Sequence, residues 1–177
     1  DLHDITKHNE ALTQTEDLLK RDKVVIAEAA FGVENMFIRA DIVRKDGNRI
    51  DLIEVKAKSF NPNTDSWMGK REKNSISSTW REYLYDLAFQ KYVVSLAMPD
   101  YEIHSYLMVA DKSLVADVDN LNQLFKICEE NDRTSIKVNS DVQKKLASSK
   151  VEVLTAFPAD DVVNAIINGT SGEQDEY

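Results

Sequence analysis

Residues 36–57, MFIRADIVRKDGNRIDLIEVKA, contain two apolar-rich runs, Met36 to Arg44 and Arg49 to Ala57, joined by the polar segment Lys45 to Asn48. The connection holds the pair Asp46-Gly47, in which glycine tolerates the positive φ that a tight turn demands. The pattern predicts two antiparallel strands and a hairpin turn. The second run has apolar residues at both alternating sets of positions, which indicates a central strand buried on both faces.

The flanking segments extend this hairpin into a mixed fold. A β-rich run precedes it, so we expect a meander of three strands. Helical spacing of apolar residues and a following Pro99 predict a long helix that packs on the sheet. The expected fold class is α/β of mixed character, with a central mixed sheet flanked by helices. The predicted additional elements are a helix over Asn9–Arg21, a strand over Val24–Phe31, a helix over Thr79–Leu96, a strand over Ile103–Ala110, a helix over Asn120–Glu129 that buries Cys128 as a small core residue, a strand over Val151–Phe157 and a helix over Asp160–Asn168.

Length and composition limit the class of protein. The chain has 177 residues, of which 42% are hydrophobic and 30% charged, and this excludes a disordered chain and fits one domain over residues 1–177. Its single cysteine excludes an internal disulfide, and it excludes a zinc or iron–sulfur site built from cysteines. There is no apolar run of about eighteen residues. We therefore expect a cytoplasmic protein without a membrane partner, and the start at Asp1 suggests a fragment of a longer polypeptide with further domains.

Charge is distributed unevenly along the chain. The net charge is −9, yet the segment from Lys56 to Arg81 holds six basic and two acidic residues, a balance of +4. Within it, residues 59–78 are rich in Asn, Ser and Gly and predict a long mobile loop. The loop either contacts a polyanion or is a solvated segment that keeps the chain soluble. Residues 172–177 predict a frayed tail.

The chemistry-bearing pattern is Asp41, then Glu54 thirteen residues later, then Lys56. Because side chains alternate along a strand, Glu54 and Lys56 project to the same face, and Asp41 across the hairpin would join them. Carboxylate oxygens on adjacent strands suit Mg²⁺ or Mn²⁺. Lys56 would orient or deprotonate an attacking water, or offset charge that develops on a phosphate. The alternative is a polar strand surface with no catalytic role.

This pattern resembles the signature of the PD-(D/E)xK nucleases. The later segment Asp86 to Tyr92, DLAFQKY, resembles the glutamine motif of their RecB-like branch, with Gln90 at the glutamine. The stretch Ala27 to Ala110 resembles a bacterial group within that branch. The resemblance implies a restriction-endonuclease-like core, Mg²⁺ or Mn²⁺ dependence without an iron–sulfur cluster here, and hydrolysis of DNA by an exonuclease or a single-strand-preferring enzyme, with RNA left open as a substrate.

The resemblance also implies which residues form the site and where the chain departs from the pattern. Val94 stands where the branch usually has tyrosine. The acid or histidine of the branch's first motif has three candidates, and Glu28 is either a third metal ligand or an exposed strand carboxylate. An inactive nuclease-fold module that binds nucleic acid or a protein is the alternative function. The expected site comprises Asp41, Glu54, Lys56 and Gln90 as catalytic residues, Asp41, Glu54 and Glu28 as metal ligands, Lys58, Lys70, Arg71 and Lys73 as substrate contacts, and Glu16, His8 or Glu28 as the first-motif residue.

Overall fold

Strands dominate the middle of the chain and helices lie at its ends and between strands. The computed structural model describes residues 2–69, 75–130 and 133–170. None of the described helices has the length and apolar content needed to cross a membrane. In chain order the elements are α1 (Leu2–Leu19), β1 (Lys23–Val33), β2 (Met36–Asp46), β3 (Arg49–Phe60), α2 (Arg81–Ala97), β4 (Glu102–Asp111), a 3₁₀ turn (Leu121–Gln123), β5 (Phe125–Glu130), β6 (Arg133–Val138), α3 (Val142–Ser148), β7 (Leu154–Pro158) and α4 (Asp160–Ile167).

A five-stranded mixed sheet in the order β1-β2-β3-β4-β7 forms the centre of the molecule. The first three strands form the predicted antiparallel meander, and Gly47 in the β2–β3 turn has a φ of 57°. The β3–β4 pair is parallel and β4–β7 is antiparallel. A parallel pair needs a crossover connection, and α2 supplies it. The predicted α/β class with a mixed sheet and flanking helices is therefore confirmed.

The core lies between α2 and one face of the sheet. Ile50 and Leu52 on β3 and Leu84 and Leu87 on α2 have no exposed surface. Full burial of one such side chain contributes about 1.5–3 kcal/mol, so this contact is a major part of the stability. Val163 of α4 is also fully buried and extends the same core.

Aromatic side chains anchor the segment after β3. The Phe60 ring lies 4.3 Å from Trp67 and 5.8 Å from Trp80, between ring centroids, and Trp67 Nε1 donates to the Pro158 carbonyl at 2.8 Å. Trp80 is buried, and Trp67 is partly buried and packs against the core. The predicted loop over residues 59–78 starts later than expected, because Ser59 and Phe60 complete β3. Residues 70–74 and the predicted tail at 172–177 lie outside the described residues.

The predicted helix over Asn120–Glu129 is wrong. Only the 3₁₀ turn forms there, and Phe125 to Glu130 is a strand that pairs with the unpredicted strand β6. Alternation of apolar and polar residues over this segment matches a two-stranded hairpin. The hydrogen bonds between β5 and β6 pair the backbone groups of both strands. Cys128 therefore lies half-buried on β5 and is not a core residue. Helix α3 was also not predicted, and the strand expected from Val151 begins at Leu154.

Candidate metal centre

Strands β2 and β3 separate at the level of Asp41 and Glu54. Their pairing runs from the turn up to Ile42 opposite Ile53, and the next opposed positions are Asp41 and Glu54. At this level a side chain takes the place of a backbone partner between the two strands. Asp41 Oδ2 accepts a hydrogen bond from the Val55 amide at 2.8 Å. Beyond this level β2 pairs only with β1, and β3 only with β4. A carboxylate therefore lies at the opening between two diverging strands.

Glu28 on β1 lies opposite Asp41 in the same register. The flanking pairs are Ala27 with Ile42 and Ala29 with Ala40. Glu28 has a φ of 55°, in the left-handed region that side chains with a Cβ rarely adopt. Strain of this kind costs of order 1 kcal/mol and is found at functional sites more often than elsewhere.

The strained position coincides with a change of face in both strands. Buried residues in β1 step from Ile26 to Ala29, and in β2 from Ala40 to Val43, which is three positions in place of the usual two. In both strands the set of positions that faces the core changes at the same level. The pairing of β1 with β2 therefore keeps the same register on both sides of this level. Three acidic residues, Glu28, Asp41 and Glu54, thus occupy one row across β1, β2 and β3.

The Glu54 carboxylate is buried and both of its oxygens are hydrogen-bonded. Lys56 Nζ donates to Oε1 at 2.6 Å, and Gln90 Nε2 donates to Oε2 at 2.9 Å. Glu54 and Gln90 are each only 5% exposed. A charge that is buried to this degree needs such partners, because burial without them would be strongly unfavourable. Helix α2 therefore fixes the orientation of the Glu54 side chain.

Lys56 lies between Glu54 and helix α2. Its Nζ is 3.5 Å from Asp86 Oδ2 and 5.2 Å from the centroid of the Tyr83 ring. Burial by itself lowers the pKa of Lys56, but the hydrogen bond and charge of Glu54 outweigh it, and the pKa is raised above its ordinary value. Lys56 is thus a protonated ammonium at neutral pH, which provides a positive charge beside the Glu54 carboxylate.

A bulge in β3 places Lys56 and Lys58. Val55 pairs with Met108 and Ser59 with Ala110, so four steps along β3 match two along β4. Bulges often reorient side chains next to functional sites. Lys58 Nζ lies 4.7 Å from the Tyr83 ring centroid and donates to the Thr79 carbonyl at 3.0 Å. Lys58 is therefore held against the start of α2, close to Lys56.

The structure brings four of the expected site residues together and leaves others apart. Asp41 and Glu54 are opposite each other in register, and Lys56 and Gln90 both bind Glu54. Glu28 is exposed at the β1 end of the row, and Glu16 is exposed on α1. His8, also on α1, stacks on Phe37 with ring centroids 4.3 Å apart. The expected substrate contacts Lys70, Arg71 and Lys73 lie outside the described residues.

Tyr83 is a site residue that the sequence analysis did not identify. Its ring lies beside both Lys56 and Lys58. The signal was present, because Tyr83, Asp86 and Gln90 are spaced three and four residues apart and share one face of a helix. An aromatic face next to two ammonium groups stabilises both by a cation–π interaction of about 0.5–2 kcal/mol each.

The donor chemistry of this centre fits a hard divalent cation. Asp41 has one oxygen beyond the one that binds the Val55 amide, and each Glu54 oxygen keeps a lone pair beyond its hydrogen bond. Mg²⁺ and Mn²⁺ bind one or two such carboxylates and complete their coordination with water and substrate oxygens. Within residues 2–69, 75–130 and 133–170, no group of three or more His, Cys, Asp or Glu side chains is already arranged around a metal position.

Comparison of the chain with protein-family models, with curated proteins and with solved structures gave no match.

Proposed function

We propose that this chain is a metal-dependent nuclease of the PD-(D/E)xK class that hydrolyses phosphodiester bonds in DNA. The observation that carries the proposal is the position of Asp41 opposite Glu54 where β2 and β3 separate. Lys56 donates a hydrogen bond to the buried carboxylate of Glu54. The order of these residues along the chain, and the glutamine on the following helix, agree with the RecB-like branch. A restriction-endonuclease-like core is the fold that this proposal requires.

Each residue has a distinct role in this proposal. Asp41 and Glu54 would hold Mg²⁺ or Mn²⁺, which when bound polarises a phosphodiester and lowers the pKa of the attacking water. Lys56 contributes positive charge where negative charge develops on the phosphate during hydrolysis. Gln90 is a positioning residue, because it holds Glu54 by a hydrogen bond. Asp86, 3.5 Å from Lys56, fixes the ammonium from the other side.

The second candidate function is an inactive nuclease-fold module that binds nucleic acid or a protein. One observation favours it: Lys56 and Gln90 satisfy both Glu54 oxygens, and Val55 satisfies one Asp41 oxygen, all within the chain. Carboxylates that are satisfied in this way can be structural groups without any ion. The two functions differ in whether the centre binds a divalent cation and turns over substrate.

Calorimetric titration with Mn²⁺ tests the proposal. We expect the unaltered chain to bind Mn²⁺ and the Asp41→Asn variant to lose at least tenfold in affinity, about 1.4 kcal/mol. The asparagine oxygen can still accept the Val55 amide, so the strands should keep their positions. Glu102→Gln, which neutralises an exposed acid at the start of β4, is the matched control and should bind as the unaltered chain does.

Cleavage then separates the two functions. Single-stranded and duplex DNA with Mg²⁺ should be hydrolysed by the unaltered chain and by Glu102→Gln, and not by Asp41→Asn or Lys56→Met. Binding of Mn²⁺ that is equal in Asp41→Asn and the unaltered chain would overturn the metal assignment. Retained DNA binding, with neither Mn²⁺ binding nor cleavage, would identify the inactive module.

A further inference from the structure

A concave surface lies at the turn end of the β1–β2–β3 meander. Its volume is about 640 Å³, within the range of sites that hold small ligands. Four of its side chains are basic and two are acidic, a local balance of +2 in a chain whose net charge is −9. The lining residues are Lys23, Val24, Val25, Arg44, Lys45, Asp46, Arg49 and Asp51.

The two arginines of this cavity and Asp51 project from the opposite face of the sheet to Glu54 of the candidate metal centre. Asp51 and Glu54 are three residues apart on a stretch of β3 whose register is uninterrupted, so their side chains project to opposite faces. Glu54 faces α2, where it binds Gln90. Arg44 is directly opposite Asp51 in register and shares its face. A ligand in this cavity would therefore not touch the metal centre.

A buried carboxylate orients two arginines in the cavity. Asp51 is 4% exposed. Its Oδ2 accepts from Arg44 Nε at 2.9 Å and from Arg44 Nη2 at 2.6 Å, while Oδ1 accepts from Arg49 Nε at 2.7 Å. Arg49 is held a second time, by its Nη2 to the Tyr106 hydroxyl at 2.6 Å. Both guanidinium groups are thus fixed in direction before any ligand arrives, which lowers the entropic cost of binding.

The charges on these residues do not cancel. The negative charge of Asp51 offsets the positive charge of one of the two arginines. Asp46 offsets Lys23, with which it forms a salt bridge of 2.9 Å between Oδ2 and Nζ. One arginine charge is left over, and the side chains of Arg44 and Arg49 remain 53% and 45% exposed. Guanidinium groups present several N–H donors in a plane, which matches the oxygens of a phosphate group.

We propose that this cavity binds a phosphate group, held by Arg44 and Arg49 together. Val25, which is 67% exposed at the cavity, offers an apolar contact for the organic part of a phosphorylated small molecule. Lys23 lies on the same face as Arg44, since both strands alternate in register, and it adds a third cation at the rim. The site is independent of the proposed nuclease activity, because it uses none of the same residues.

NMR titration of the ¹⁵N-labelled chain tests this site with sodium pyrophosphate and with adenosine 5′-monophosphate as probes. We expect saturable amide shifts at Val25, Arg44 and Asp51, and none that saturate at Val55. Arg44→Gln and Arg49→Gln should each weaken binding about tenfold, because each removes one charge-assisted contact. Each single variant keeps one arginine on Asp51. Lys20→Gln, which changes an exposed lysine directly after α1, is the matched control.

A single-stranded oligonucleotide without terminal phosphates distinguishes the two sources of a phosphate group. If it shifts the same amides in an Arg44-dependent way, the site takes a backbone phosphodiester; if only pyrophosphate and the monophosphate do so, it takes a small phosphorylated ligand. Lys23→Gln serves as a further variant should an arginine variant unfold. Absence of saturable shifts at about 10 mM probe, or equal affinity in the arginine variants, would overturn the proposal. Neither result depends on Mn²⁺ binding at Asp41 and Glu54.

Discussion

Gln90 on α2 donates a hydrogen bond from Nε2 to Glu54 Oε2 on β3 across 2.9 Å, in a place where both side chains are 5% exposed. This contact joins the helix to the central strand at the candidate metal centre. A buried carboxylate that loses a donor keeps its desolvation penalty, so the effect of removing the amide depends on whether Glu54 is charged.

Replacement of Gln90 by leucine should lower the free energy of unfolding by about 1–3 kcal/mol, because one Glu54 oxygen is then buried without its donor. In the Glu54→Gln background the same replacement should cost less, since a neutral amide is cheaper to leave unpaired. Urea unfolding of the unaltered chain, the two single variants and the double variant gives the coupling free energy between Gln90 and Glu54. Phe89→Leu, at a 47% exposed position of the same helix, is the control. Equal costs in both backgrounds would show that Gln90 acts through packing alone.

Glu28→Gly should raise the stability by about 1 kcal/mol, because glycine adopts the φ of 55° without the clash that a Cβ suffers. Glu28→Gln removes the same charge and keeps the strain, so its stability should stay near that of the unaltered chain. Thermal unfolding measures both. If Glu28 is a third ligand, both variants also weaken Mn²⁺ binding; if only stability changes, and only in the glycine variant, Glu28 is an exposed strand residue.

Gly47→Ala in the β2–β3 turn should cost about 1 kcal/mol, because the turn keeps glycine at a φ of 57°. No atom lies within 4 Å of a Cβ built there, so the cost is conformational and not steric crowding by neighbours. Gly47→Asn is the matched variant, since asparagine tolerates this region better than alanine. Equal destabilisation by alanine and asparagine, measured by urea unfolding, would contradict this explanation.

Asp160 at the start of α4 should make stability depend on acid pH. Burial by itself raises the pKa of Asp160, but hydrogen bonds from Lys91 at 2.7 Å and with His104 at 2.8 Å outweigh it, and the pKa is lowered. A lowered pKa contributes stability that is present above the unfolded-state value, about 3.9, and is lost as the pH falls through the folded-state value. Asp160→Asn should therefore cost about 2 kcal/mol at pH 7, and the cost should shrink progressively as the pH falls below about 4. A difference between the two proteins that is constant from pH 7 to pH 3 would be inconsistent with this role.

Local signals explain which parts of the fold were predictable. The Asp46-Gly47 turn and the helix before Pro99 are encoded by residues next to one another, and both predictions are confirmed. The segment around Leu124 and Ile127 was mistaken for a helix, because its apolar residues fit both a helical and an alternating spacing. The hairpin partner that decides between these spacings lies several residues further along the chain.

The candidate centre was predictable in its residues and less so in its contacts. Alternation along β3 indicated that Glu54 and Lys56 share a face, and helical spacing indicated the same for Asp86 and Gln90. Which of these side chains touch depends on how α2 packs on the sheet, and that is set by the whole core. The positive φ at Glu28 had no signal, because a residue other than glycine gives no local indication of that conformation.

The bulge in β3 has a consequence for how the length of this chain can vary. It adds two residues relative to β4 between Val55 and Ser59, and two is one full period of a strand. Phe60 consequently still points into the aromatic cluster with Trp67 and Trp80. Loss or gain of one residue here would exchange the inward and outward sides of everything that follows in the strand. Homologous chains that keep strict alternation on both sides of this position should therefore differ there by an even number of residues.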